Sequence, residues 1–595
     1  MHNNNSTVIH KRYWVSLSAV ALALTACSQQ ADVDAPLANS NCVAEQTISQ
    51  IQGNSDSSPL VGQSVSISGV VTASWQGDGE LGGFFVQDKD AGLFVQATGP
   101  TTVAIGDQVR VNGVVSEAQQ LTQLDQVTEI IDCGRAELPA AKKLTLPVAS
   151  VKTFEQLEGQ YVSIPQTLIV NGNYLLDRHG SFDVAAERLY TPTQVTQPGA
   201  SARQLAASYE LQRLVIDDNR APNPSQVPFP APQLSADNSL RAGDSVRNVQ
   251  GILSEFNGRY RIQPTAELQF TATNPRPPAP SKSADPRVIR VATFNVLNYF
   301  NGNGVAQSFP TDRGAETAAD FSRQEAKIIA AMVALKADII GLMEIENDGY
   351  ADHSAIVRLV EQLKQASGQP WQFVAAAEGQ FGGASITNGL IYRSDRVEAV
   401  GAVSTVTEGV FRNRSRYPLI QRMRPLHSQE TFVVAVNHFK SKGSCPRDSS
   451  DPNANQNDGQ ACWNAARVES AERLIAALQQ PLLAKTSAQI VLGDFNAYAQ
   501  EDPMQTFYAA SYHNRAEHFE PKGYSYVFNA QAGSLDHLLV SDALHGRVIK
   551  QQHWLINADE PSALSYEGYS QNADWYAPDA YRSSDHDPII ADIQF

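Results

Sequence analysis

A proline-rich stretch, residues 273–286, divides this chain of 595 residues into two parts with different sequence patterns. Before it, short runs of alternating apolar and polar residues are separated by glycines, a pattern typical of β-strands. After it, apolar strand-like runs alternate with segments of helical periodicity, which is typical of an α/β domain. Because proline stiffens an extended chain, the stretch is predicted to be a linker between an all-β part and an α/β domain over residues 287–595.

The first part of the chain is predicted to form a small closed barrel over residues 41–140. The strand patterns that indicate it recur at short intervals, at 64–72, 83–88, 92–96 and 107–115. In this respect the region resembles an OB-fold module. The aromatic residues Phe84, Phe85 and Phe94 on these strands are predicted to belong to the barrel core, and the alternative is that they stack on nucleic-acid bases.

A second β-rich region is predicted over residues 141–272. A strand pattern is clearest near its end, at residues 244–253. Residues 194–238 are rich in proline, serine and glutamine, so they are predicted to form a long loop.

The N-terminus has the features of an export signal. Lys11 and Arg12 precede an apolar stretch, residues 13–26, that is too short to remain in a bilayer as an anchor. It ends directly before Cys27, so residues 1–27 are predicted to be a lipoprotein signal with Cys27 lipidated and residues 28–40 as a tether. The alternative is an ordinary cleaved signal peptide. The chain is therefore expected to be exported, as an outer-membrane lipoprotein or as a secreted protein.

Four further cysteines remain once Cys27 is set aside: Cys42, Cys133, Cys445 and Cys462. An even number of cysteines in an exported protein favours disulfides. Proximity along the chain suggests the pairs Cys42–Cys133 and Cys445–Cys462. None of the spacings is that of a zinc site.

The α/β domain shows a regular succession of strand and helix patterns. Helices are predicted over residues 320–335 and 464–478, the first with Ile328, Ile329, Met332 and Leu335 along one face. Strands are predicted at 288–295, 338–343, 389–393, 431–437, 489–493, 535–540 and 588–594.

Polar side chains stand at the ends of these apolar strands, where a buried strand ordinarily avoids them. The positions are Asn295, Glu344, His438, Asp494 with Asn496, Asp536, and Asp585 with His586. A single such residue is usually a turn residue, but their repetition in one domain indicates a common site. Carboxylate and amide oxygens are hard ligands suited to Mg²⁺ or Ca²⁺.

Two strings among these strand ends carry a family resemblance. They are Val491-Leu492-Gly493-Asp494-Phe495-Asn496 and Ser583-Ser584-Asp585-His586-Asp587-Pro588. With the other strand-end residues, in this order, they resemble the endonuclease/exonuclease/phosphatase superfamily, which includes pancreatic-type deoxyribonuclease. The resemblance covers about residues 287–595. It implies a four-layered α/β sandwich, in which two mixed sheets are flanked by helices. The whole layout resembles bacterial extracellular nucleases.

The resemblance implies a metal site and a water-activating base. Glu344, with Asn295 and Asp585, is expected to hold Mg²⁺ or Mn²⁺ on the scissile phosphate, and Ca²⁺ is a further candidate. Asp494 is expected to orient and deprotonate the attacking water, and Asn496 to hold the phosphate.

The resemblance also implies two histidine roles. His586, oriented by Asp536, is expected to donate to a phosphate oxygen or to act as an acid or base. His438 is expected to protonate the leaving oxygen. Relatives often carry an acidic residue near the site at the position of residues 383–388, and this chain has no carboxylate there.

Two polar segments of the α/β domain are candidates for binding ions. Residues 409–424 carry five arginines and no acidic residue, so they are predicted to neutralise phosphates, with Arg416 nearest the site. Lys440 and Lys442 are further phosphate-binding candidates, with solvated lysines as the alternative. Residues 451–459 have alternating oxygen donors but lack the glycine and distal glutamate of an EF-hand, so a disulfide-closed polar loop is favoured over a Ca²⁺ site.

The predicted function is a metal-dependent nuclease that hydrolyses DNA, with RNA as an alternative substrate. The formal net charge of −17 argues against binding nucleic acid by bulk electrostatics but not against a local basic patch. A phosphatase or a sphingomyelinase-type phosphodiesterase of the same superfamily is the alternative; a sphingomyelinase is expected to show an exposed aromatic hairpin, and the sequence indicates none. A third hypothesis is a non-catalytic, adhesin-like lipoprotein. Membrane contact is expected through the N-terminal lipid alone, and no protein partner is predicted.

Overall fold

The computed structural model describes residues 40–595 except positions 100, 221, 306–307, 377–378, 481–482 and 484–485. The predicted signal segment, its lipidation site Cys27 and nearly all of the tether lie outside the described residues. Within the described part of the chain, no helix is both long and apolar enough to cross a membrane.

The first part of the chain forms a closed barrel of five strands, in which neighbours follow the order β1-β2-β3-β5-β4. The strands are β1 Ser64–Trp75, β2 Gly83–Gln87, β3 Gly92–Gln96, β4 Asp107–Ala118 and β5 Leu121–Arg135. Alternate residues of β4, among them Val109, Val111 and Val115, are buried, as the period of two in a strand requires. The assignment of this barrel to the OB-fold stays a prediction.

The aromatic residues of the barrel strands are core residues. Phe84, Phe85 and Phe94 are 0%, 1% and 5% exposed, which confirms the core prediction and leaves no open face for bases to stack on. Phe84 packs inside the barrel, whereas Phe85 and Phe94 pack together with Ile252 of the following region. The predicted disulfide Cys42–Cys133 is confirmed.

The second region is built on a nine-stranded sheet with the order β14-β11-β8-β9-β10-β13-β12-β7-β6. Its strands are β6 Lys142–Lys143, β7 Tyr161–Ile164, β8 Leu168–Gly172, β9 Phe182–Ala185, β10 Leu214–Ile216, β11 Ser245–Arg247, β12 Val249–Phe256, β13 Arg259–Pro264 and β14 Gln269–Thr271. Short helices are Ile48–Gln52, before the barrel, and Lys152–Glu155, Leu176–His179 and Pro192–Val195.

The predicted long loop over residues 194–238 is wrong in part. It contains the helix Ala200–Tyr209 and the strand β10. The helix begins after Pro198-Gly199, and its alanine-rich sequence has a high helix propensity that outweighs the polar composition of the segment.

The proline-rich stretch is held against the α/β domain along its length. Arg276 donates from Nε to Oε1 of Glu560 over 2.9 Å. Lys282 pairs with Asp338, with 2.7 Å between Nζ and Oδ1. The stretch therefore docks the two parts of the chain onto each other instead of separating them.

The α/β domain contains two six-stranded mixed sheets, with the orders β17-β18-β16-β15-β28-β27 and β19-β20-β21-β22-β26-β23, and a hairpin, β24-β25. The strands are β15 Val288–Tyr299, β16 Ile339–Glu346, β17 Trp371–Phe373, β18 Ile386–Arg393, β19 Val397–Ser404, β20 Leu419–Pro425, β21 Phe432–His438, β22 Gln489–Asp494, β23 Tyr512–Asn514, β24 Tyr526–Phe528, β25 Gln531–Gly533, β26 Asp536–Ser541, β27 Val548–His553 and β28 Ile589–Gln594.

Helices cover the outer face of each sheet, so the domain has the predicted four layers. The helices are Ala318–Leu335, Ala355–Ser367, Asn464–Leu478, Asp502–Ala509, Ala516–Phe519 and Asp542–His545. Residues of β16 explain the arrangement: Ile340 and Leu342 pack with the first two helices, whereas Ile339 and Met343 pack against the second sheet. A strand buried on both faces is apolar, which is what β16 shows over residues 339–343, before Glu344.

Candidate active site

The polar strand ends meet at one edge of the two sheets. β15 runs parallel to β16, and β21 runs parallel to β22, so Asn295 and Glu344 end together in one sheet, as His438 and Asp494 do in the other. β26 runs antiparallel to β22 and places Asp536 opposite Asp494. β28 runs antiparallel to β15, so Asp585 and His586, which precede it, reach the same edge. The structure thus brings together every predicted catalytic and metal-binding residue.

Unusual backbone conformations occur at these strand ends. Glu344 has a φ of 65° at an irregularity in the pairing of β16 with β18, and Asn496 has a φ of 50°. Left-handed conformations are uncommon for residues other than glycine and cluster at functional sites. Gly493 has a φ of 134°, and a Cβ there would collide with the carbonyl oxygen of Asn437. Glycine is therefore required directly before Asp494.

Hydrogen bonds join the carboxylates across the two sheets. The Asn295 Nδ2 lies 3.3 Å from Oε1 of Glu344 and 3.3 Å from Oδ2 of Asp494, and it bridges them. The Asn298 backbone N–H donates to the other Glu344 oxygen over 3.1 Å. The backbone N–H of Asn496 donates to Oδ1 of Asp494 over 2.8 Å. Glu344, Asp494, Asp536 and Asp585 are called the active-site carboxylates below.

His586 is held by Asp536, as the sequence predicted. Its Nδ1 lies 2.7 Å from Oδ2 of Asp536, which also accepts from Oγ of Ser525 over 2.6 Å. Burial opposes the charged imidazole, but the carboxylates of Asp536 and Asp585 hold the pKa of His586 well above its ordinary value. His586 is therefore an imidazolium that can donate from Nε2. The Tyr526 ring packs against it, with 4.6 Å between ring centroids.

His438 has a different electrostatic environment. Its Nε2 lies 3.6 Å from Oδ2 of Asp494 and 3.9 Å from Oε1 of Glu344. Burial, with the positive charges of Arg416 and His586, lowers the pKa of His438 well below its ordinary value. Within the described part of the chain, Nδ1 of His438 has no hydrogen-bond partner, which agrees with the missing carboxylate at residues 383–388. A neutral imidazole is a weaker acid than His586.

The remaining carboxylates repel one another. Burial and the nearby charges of Asp536 and Glu344 raise the pKa of Asp494 to about 7, although His586 acts against them. Burial and Asp585 likewise raise the pKa of Glu344. Oδ1 of Asp536 is buried and accepts no hydrogen bond from any described residue. A concentration of oxygen donors with unmet negative charge fits a hard divalent cation such as Mg²⁺.

A further set of potential ligand atoms includes a charged histidine. One ligand atom each from Asp494, Asp536 and His586 lie within 4.8 Å of one another, but His586 is an imidazolium bonded to Asp536, so only the two carboxylates of this group can contact a cation. The oxygen of Asn295 accepts from the backbone N–H of Leu297 over 3.1 Å, so in this arrangement Asn295 positions the carboxylates with its nitrogen. The metal-ligating role of Asn295 stays a prediction.

The arginine-rich segment is divided between the site and the surface. Arg416 donates to the carbonyl of Phe439 over 3.4 Å. Burial lowers the pKa of Arg416, and the negative charges of Glu344 and Asp494 act to raise it, so the guanidinium lies within the electrostatic influence of both carboxylates. Arg424, by contrast, pairs with Glu398 at the far end of β20. Of the run, Arg416 is thus the residue placed beside the carboxylates.

Lys440 and Lys442 have different surroundings. Lys440 lies 5.1 Å from the Trp463 ring, and the Arg414 guanidinium lies 4.6 Å from the same ring. Burial and the charge of Arg416 lower the pKa of Lys440 to about 8. Lys442 is instead paired with Glu501 over 2.7 Å, so its charge is neutralised by an ion pair within the protein. We call Arg414, Arg416, Lys440 and Trp463 the basic patch.

The loop closed by the confirmed disulfide Cys445–Cys462 uses its own oxygens. Side-chain oxygens of Asp451, Asn455 and Asp458 accept from backbone N–H groups two residues further along, over 2.8–2.9 Å. These bonds favour the polar loop over a Ca²⁺ site.

The second β-rich region supports the catalytic loops. Oε1 of Gln194 accepts from the backbone N–H of Ala499 over 3.3 Å and from that of Ser534 over 3.0 Å. These residues lie close to Asp494 and Asp536 in the chain. Oγ1 of Thr193 also donates to Glu501 over 2.8 Å. The all-β part therefore helps to fix the geometry of the site.

Several contributing residues were missed by sequence reasoning. Ser584, whose hydroxyl donates to the carbonyl of Asn295 over 2.7 Å, lies inside a string already singled out, so its proximity was a usable signal. Ser525 and Tyr526 are distant from the strand ends in sequence, and no local pattern marks them. The hairpin that carries Tyr526 also holds Phe528, which is 65% exposed.

Comparison with known proteins identifies the family of the α/β domain. Residues 292–586 match the endonuclease/exonuclease/phosphatase family. This half of the chain belongs to that family, whose members are hydrolases acting on phosphate esters and generally depend on a divalent metal. A search of curated protein sequences finds no match.

Solved structures similar to this chain cover the same half. One is an endonuclease/exonuclease/phosphatase family protein from Bacteroides thetaiotaomicron, with 16% identity, 52% of this chain and 98% of that chain covered, and a TM-score of 0.32. Another is a mannosyl-6-phosphatase from Bacteroides thetaiotaomicron VPI-5482, with 17% identity, 52% and 100% coverage, and a TM-score of 0.33. A third is the catalytic domain of human Nocturnin with bound sulfate, with 17% identity, 52% and 95% coverage, and a TM-score of 0.32.

Proposed function

We propose that the protein is a metal-dependent nuclease that hydrolyses phosphodiester bonds of DNA, with RNA as an alternative substrate. The observation that carries this proposal is that a carboxylate and an imidazole, both with raised pKa values, lie together at one edge of the sheets. Asp494 is a buried carboxylate with a raised pKa, and His586 is an imidazolium held by Asp536. Such a pair supplies a base and a hydrogen-bond donor for an in-line attack on phosphorus.

Glu344 and Asp585, with Asn295 beside them, are the residues that would hold a divalent ion, Mg²⁺ or Mn²⁺, with Ca²⁺ as a further candidate. When bound, such an ion neutralises negative charge that develops on phosphate oxygens. Burial and the like charge of Asp585 raise the pKa of Glu344. A cation between the two carboxylates would relieve their repulsion, and this would favour its binding.

The protein's own residues then divide the remaining tasks. Asp494 orients a water molecule and takes its proton, and its pKa of about 7 suits a base that works near neutral pH. His586 donates from Nε2 to a phosphate oxygen. The side chain of Asn496, which now donates to the carbonyl of Phe439 over 3.3 Å, lies beside Asp494 and can hold the phosphate. His438 is held neutral beside Asp494 and Glu344, and the proton for the leaving oxygen is better supplied by His586.

The basic patch supports a polymeric substrate. Arg416 lies beside the carboxylates, and Arg414 and Lys440 continue from it over the Trp463 ring. These cations can contact phosphates on either side of the scissile bond, although the chain as a whole is acidic.

A phosphatase or sphingomyelinase-type phosphodiesterase is the second candidate, and one observation favours it. Phe528, at the tip of the β24-β25 hairpin near His586, is 65% exposed. A single apolar ring is a small membrane-binding surface. The hairpin is also tied to the second β-rich region through Asn529, whose Oδ1 accepts from Arg213 over 2.9 Å.

We also propose that the protein is exported and carries a lipid on Cys27. Two disulfides in the described residues support an oxidising compartment. Incorporation of a labelled fatty acid in cells, lost in Cys27→Ala, is the expected result. A cleaved, unlabelled protein would instead support an ordinary signal peptide.

A panel of substrates tests the proposed function. Supercoiled plasmid, a phosphomonoester and sphingomyelin are incubated with the protein and Mg²⁺ plus Ca²⁺, or with EDTA. We expect plasmid cleavage with metal and none with EDTA. Turnover of a small substrate with intact plasmid would support the second candidate, and no turnover at all would support a non-catalytic lipoprotein.

A further inference from the structure

A second group of carboxylates lies far from the active site, at the junction of the barrel and the second β-rich region. Glu117 lies near the end of β4, Glu155 and Glu158 belong to the helix Lys152–Glu155 and the turn after it, and Glu255 lies near the end of β12. We call these four residues the junction glutamates. Neither the family match nor the proposed reaction involves them.

Three of the junction glutamates are close enough to share one ion. One carboxylate oxygen each of Glu155, Glu158 and Glu255 lie within 4.8 Å of one another. Glu158 is 2% exposed and Glu255 is 7% exposed, whereas Glu155 is half-buried. Glu155 and Glu158 line a cavity of about 440 Å³, which has room for an ion and its water ligands.

Oxygen atoms without hydrogen bonds point to a missing partner. Oε1 of Glu158 accepts from the backbone N–H of Thr122 over 3.2 Å, but its Oε2 is buried and has no hydrogen-bond partner among the described residues. The same is true of Oε1 of Gln160, a residue that is 4% exposed and lines the same cavity. Oε2 of Glu117 is a third such atom. Because buried acceptors are nearly always satisfied, these atoms indicate a ligand that offers positive charge.

The charges of the group are not balanced by the protein. In the described part of the chain, no lysine or arginine forms an ion pair with any junction glutamate, and Lys152 at the cavity is exposed. The Tyr260 hydroxyl donates to Oε2 of Glu155 over 3.0 Å, which supplies a hydrogen bond but no charge. Burial and the neighbouring charge of Glu155 raise the pKa of Glu158 to about 8. Uncompensated buried carboxylates are costly, so either protons or a cation must neutralise them.

We propose that Glu155, Glu158, Glu255 and the side-chain oxygen of Gln160, all in the second β-rich region, bind a Ca²⁺ ion where that region meets the barrel. Calcium accepts six to eight oxygen ligands in flexible geometry, which suits three carboxylates, an amide oxygen and water. Magnesium prefers one or two carboxylates in a strict octahedron, and zinc prefers histidine and cysteine, neither of which lies in the group.

Calcium titration of the whole protein tests this site separately from the active site. All proteins carry Glu344→Gln, which removes a ligand of the proposed catalytic metal, and Ca²⁺ binding is followed by calorimetry and by the thermal midpoint. The protein that carries Glu344→Gln alone, which is the parent in this experiment, is expected to bind one Ca²⁺ per chain. It is expected to melt at a higher temperature with Ca²⁺, since an ion that binds only the folded state stabilises it. Mg²⁺ is expected to bind at least tenfold more weakly.

Two variants and a control decide the outcome. Glu158→Gln is expected to weaken Ca²⁺ binding at least tenfold and to abolish the rise in melting temperature, and Glu255→Gln serves the same purpose if the first fails to fold. Glu137→Gln, at an exposed position after the barrel, is expected to change neither quantity. The proposal is overturned if the parent takes up no Ca²⁺, if uptake survives both variants, or if Mg²⁺ binds as tightly as Ca²⁺.

Discussion

The active-site carboxylates and the junction glutamates are both buried groups of like charge, but their surroundings differ. The active-site group includes two imidazoles and the Arg416 guanidinium, and its strand ends carry left-handed backbone at Glu344 and Asn496. The junction group has a tyrosine hydroxyl and an amide beside it, and none of its four glutamates has a positive φ.

The difference indicates different tasks. In the active site, Asp536 raises the pKa of His586 and so favours its charged imidazolium, while Glu344 and Asp536 raise the pKa of Asp494 and so make it a stronger base. That arrangement suits proton transfer. At the junction, the pKa values of Glu155, Glu158 and Glu255 are all raised and no cationic side chain of the described residues pairs with them, which suits the holding of a single cation.

The largest expected effect separates the two groups by activity. Glu344→Gln keeps the shape of the side chain but removes the charge that would hold the catalytic metal, so we expect a loss of about 10³-fold in the rate of phosphodiester cleavage. The rate is measured at saturating Mg²⁺. Glu361→Gln, at an exposed position of the helix Ala355–Ser367, is the control and is expected to retain the parent rate. A Glu344→Gln variant that cleaves at the parent rate would contradict the assignment of a catalytic metal ligand to Glu344.

Glu560 is a buried carboxylate whose charge is balanced by arginines, so its effect on stability can be compared with that of the two groups of like charge. Glu560 is 1% exposed and pairs with Arg241 and Arg276. Glu560→Gln removes the carboxylate that Arg241 and Arg276 share, although Arg241 keeps a longer pair with Asp559 over 3.5 Å, so we expect a loss of about 3 kcal/mol in the free energy of unfolding. Urea denaturation measures it, and a change below about 0.5 kcal/mol, typical of surface substitutions, would contradict the account.

The same residue gives a pH dependence of known sign. Burial acts to raise the pKa of Glu560, but its bonds to Arg276 and Arg241 outweigh burial and lower the pKa below its ordinary value. A lowered folded-state pKa means that the contribution is present above the unfolded pKa and is lost as pH falls through the folded pKa. Between about pH 5 and pH 3, the stability of the parent is therefore expected to fall more steeply than that of Glu560→Gln. Parallel curves would contradict this.

A smaller effect is expected at the pair that orients His586. Asp536→Asn removes the charge that holds the pKa of His586 high, so cleavage should slow by about 10²-fold, chiefly in kcat. The structure should persist, because the asparagine oxygen can still accept from Ser525. An unchanged kcat would remove His586 from proton donation.

The smallest effect concerns the basic patch. Arg416→Ala is expected to raise KM for long DNA by about tenfold and to reduce the salt dependence of binding by about one charge. Arg424→Ala, which breaks the pair with Glu398 at the far end of β20, is the matched control. Equal effects of the two variants would show that the patch acts only through general charge.

Much of the α/β domain follows from sequence, because its strands are apolar runs that end at polar residues. The helix predicted over residues 464–478 has those bounds, and the strand predicted over 431–437 is Phe432–His438. The pairing of Asp536 with His586 was implied by the family resemblance. These features depend on local pattern and on the meeting of strand ends at one sheet edge.

Other features depend on contacts that no local pattern carries. Glu158 and Glu255 look like ordinary surface residues in the sequence and become neighbours only when β12 pairs with β7 and the turn before it. The support of Ala499 and Ser534 by Gln194 likewise joins residues from opposite parts of the chain. The neutral state of His438 follows from full burial beside Arg416, which strand pattern alone does not predict.

The most direct test of the account is plasmid cleavage by Asp494→Asn under single-turnover conditions, beside the parent, with Mg²⁺ plus Ca²⁺. This substitution keeps the hydrogen bond from the backbone N–H of Asn496 but removes the base. The account predicts metal-dependent cleavage by the parent and a rate at least about 10³-fold lower for the variant, with an unchanged melting temperature. Cleavage by Asp494→Asn at the parent rate would contradict the placing of the catalytic base at Asp494.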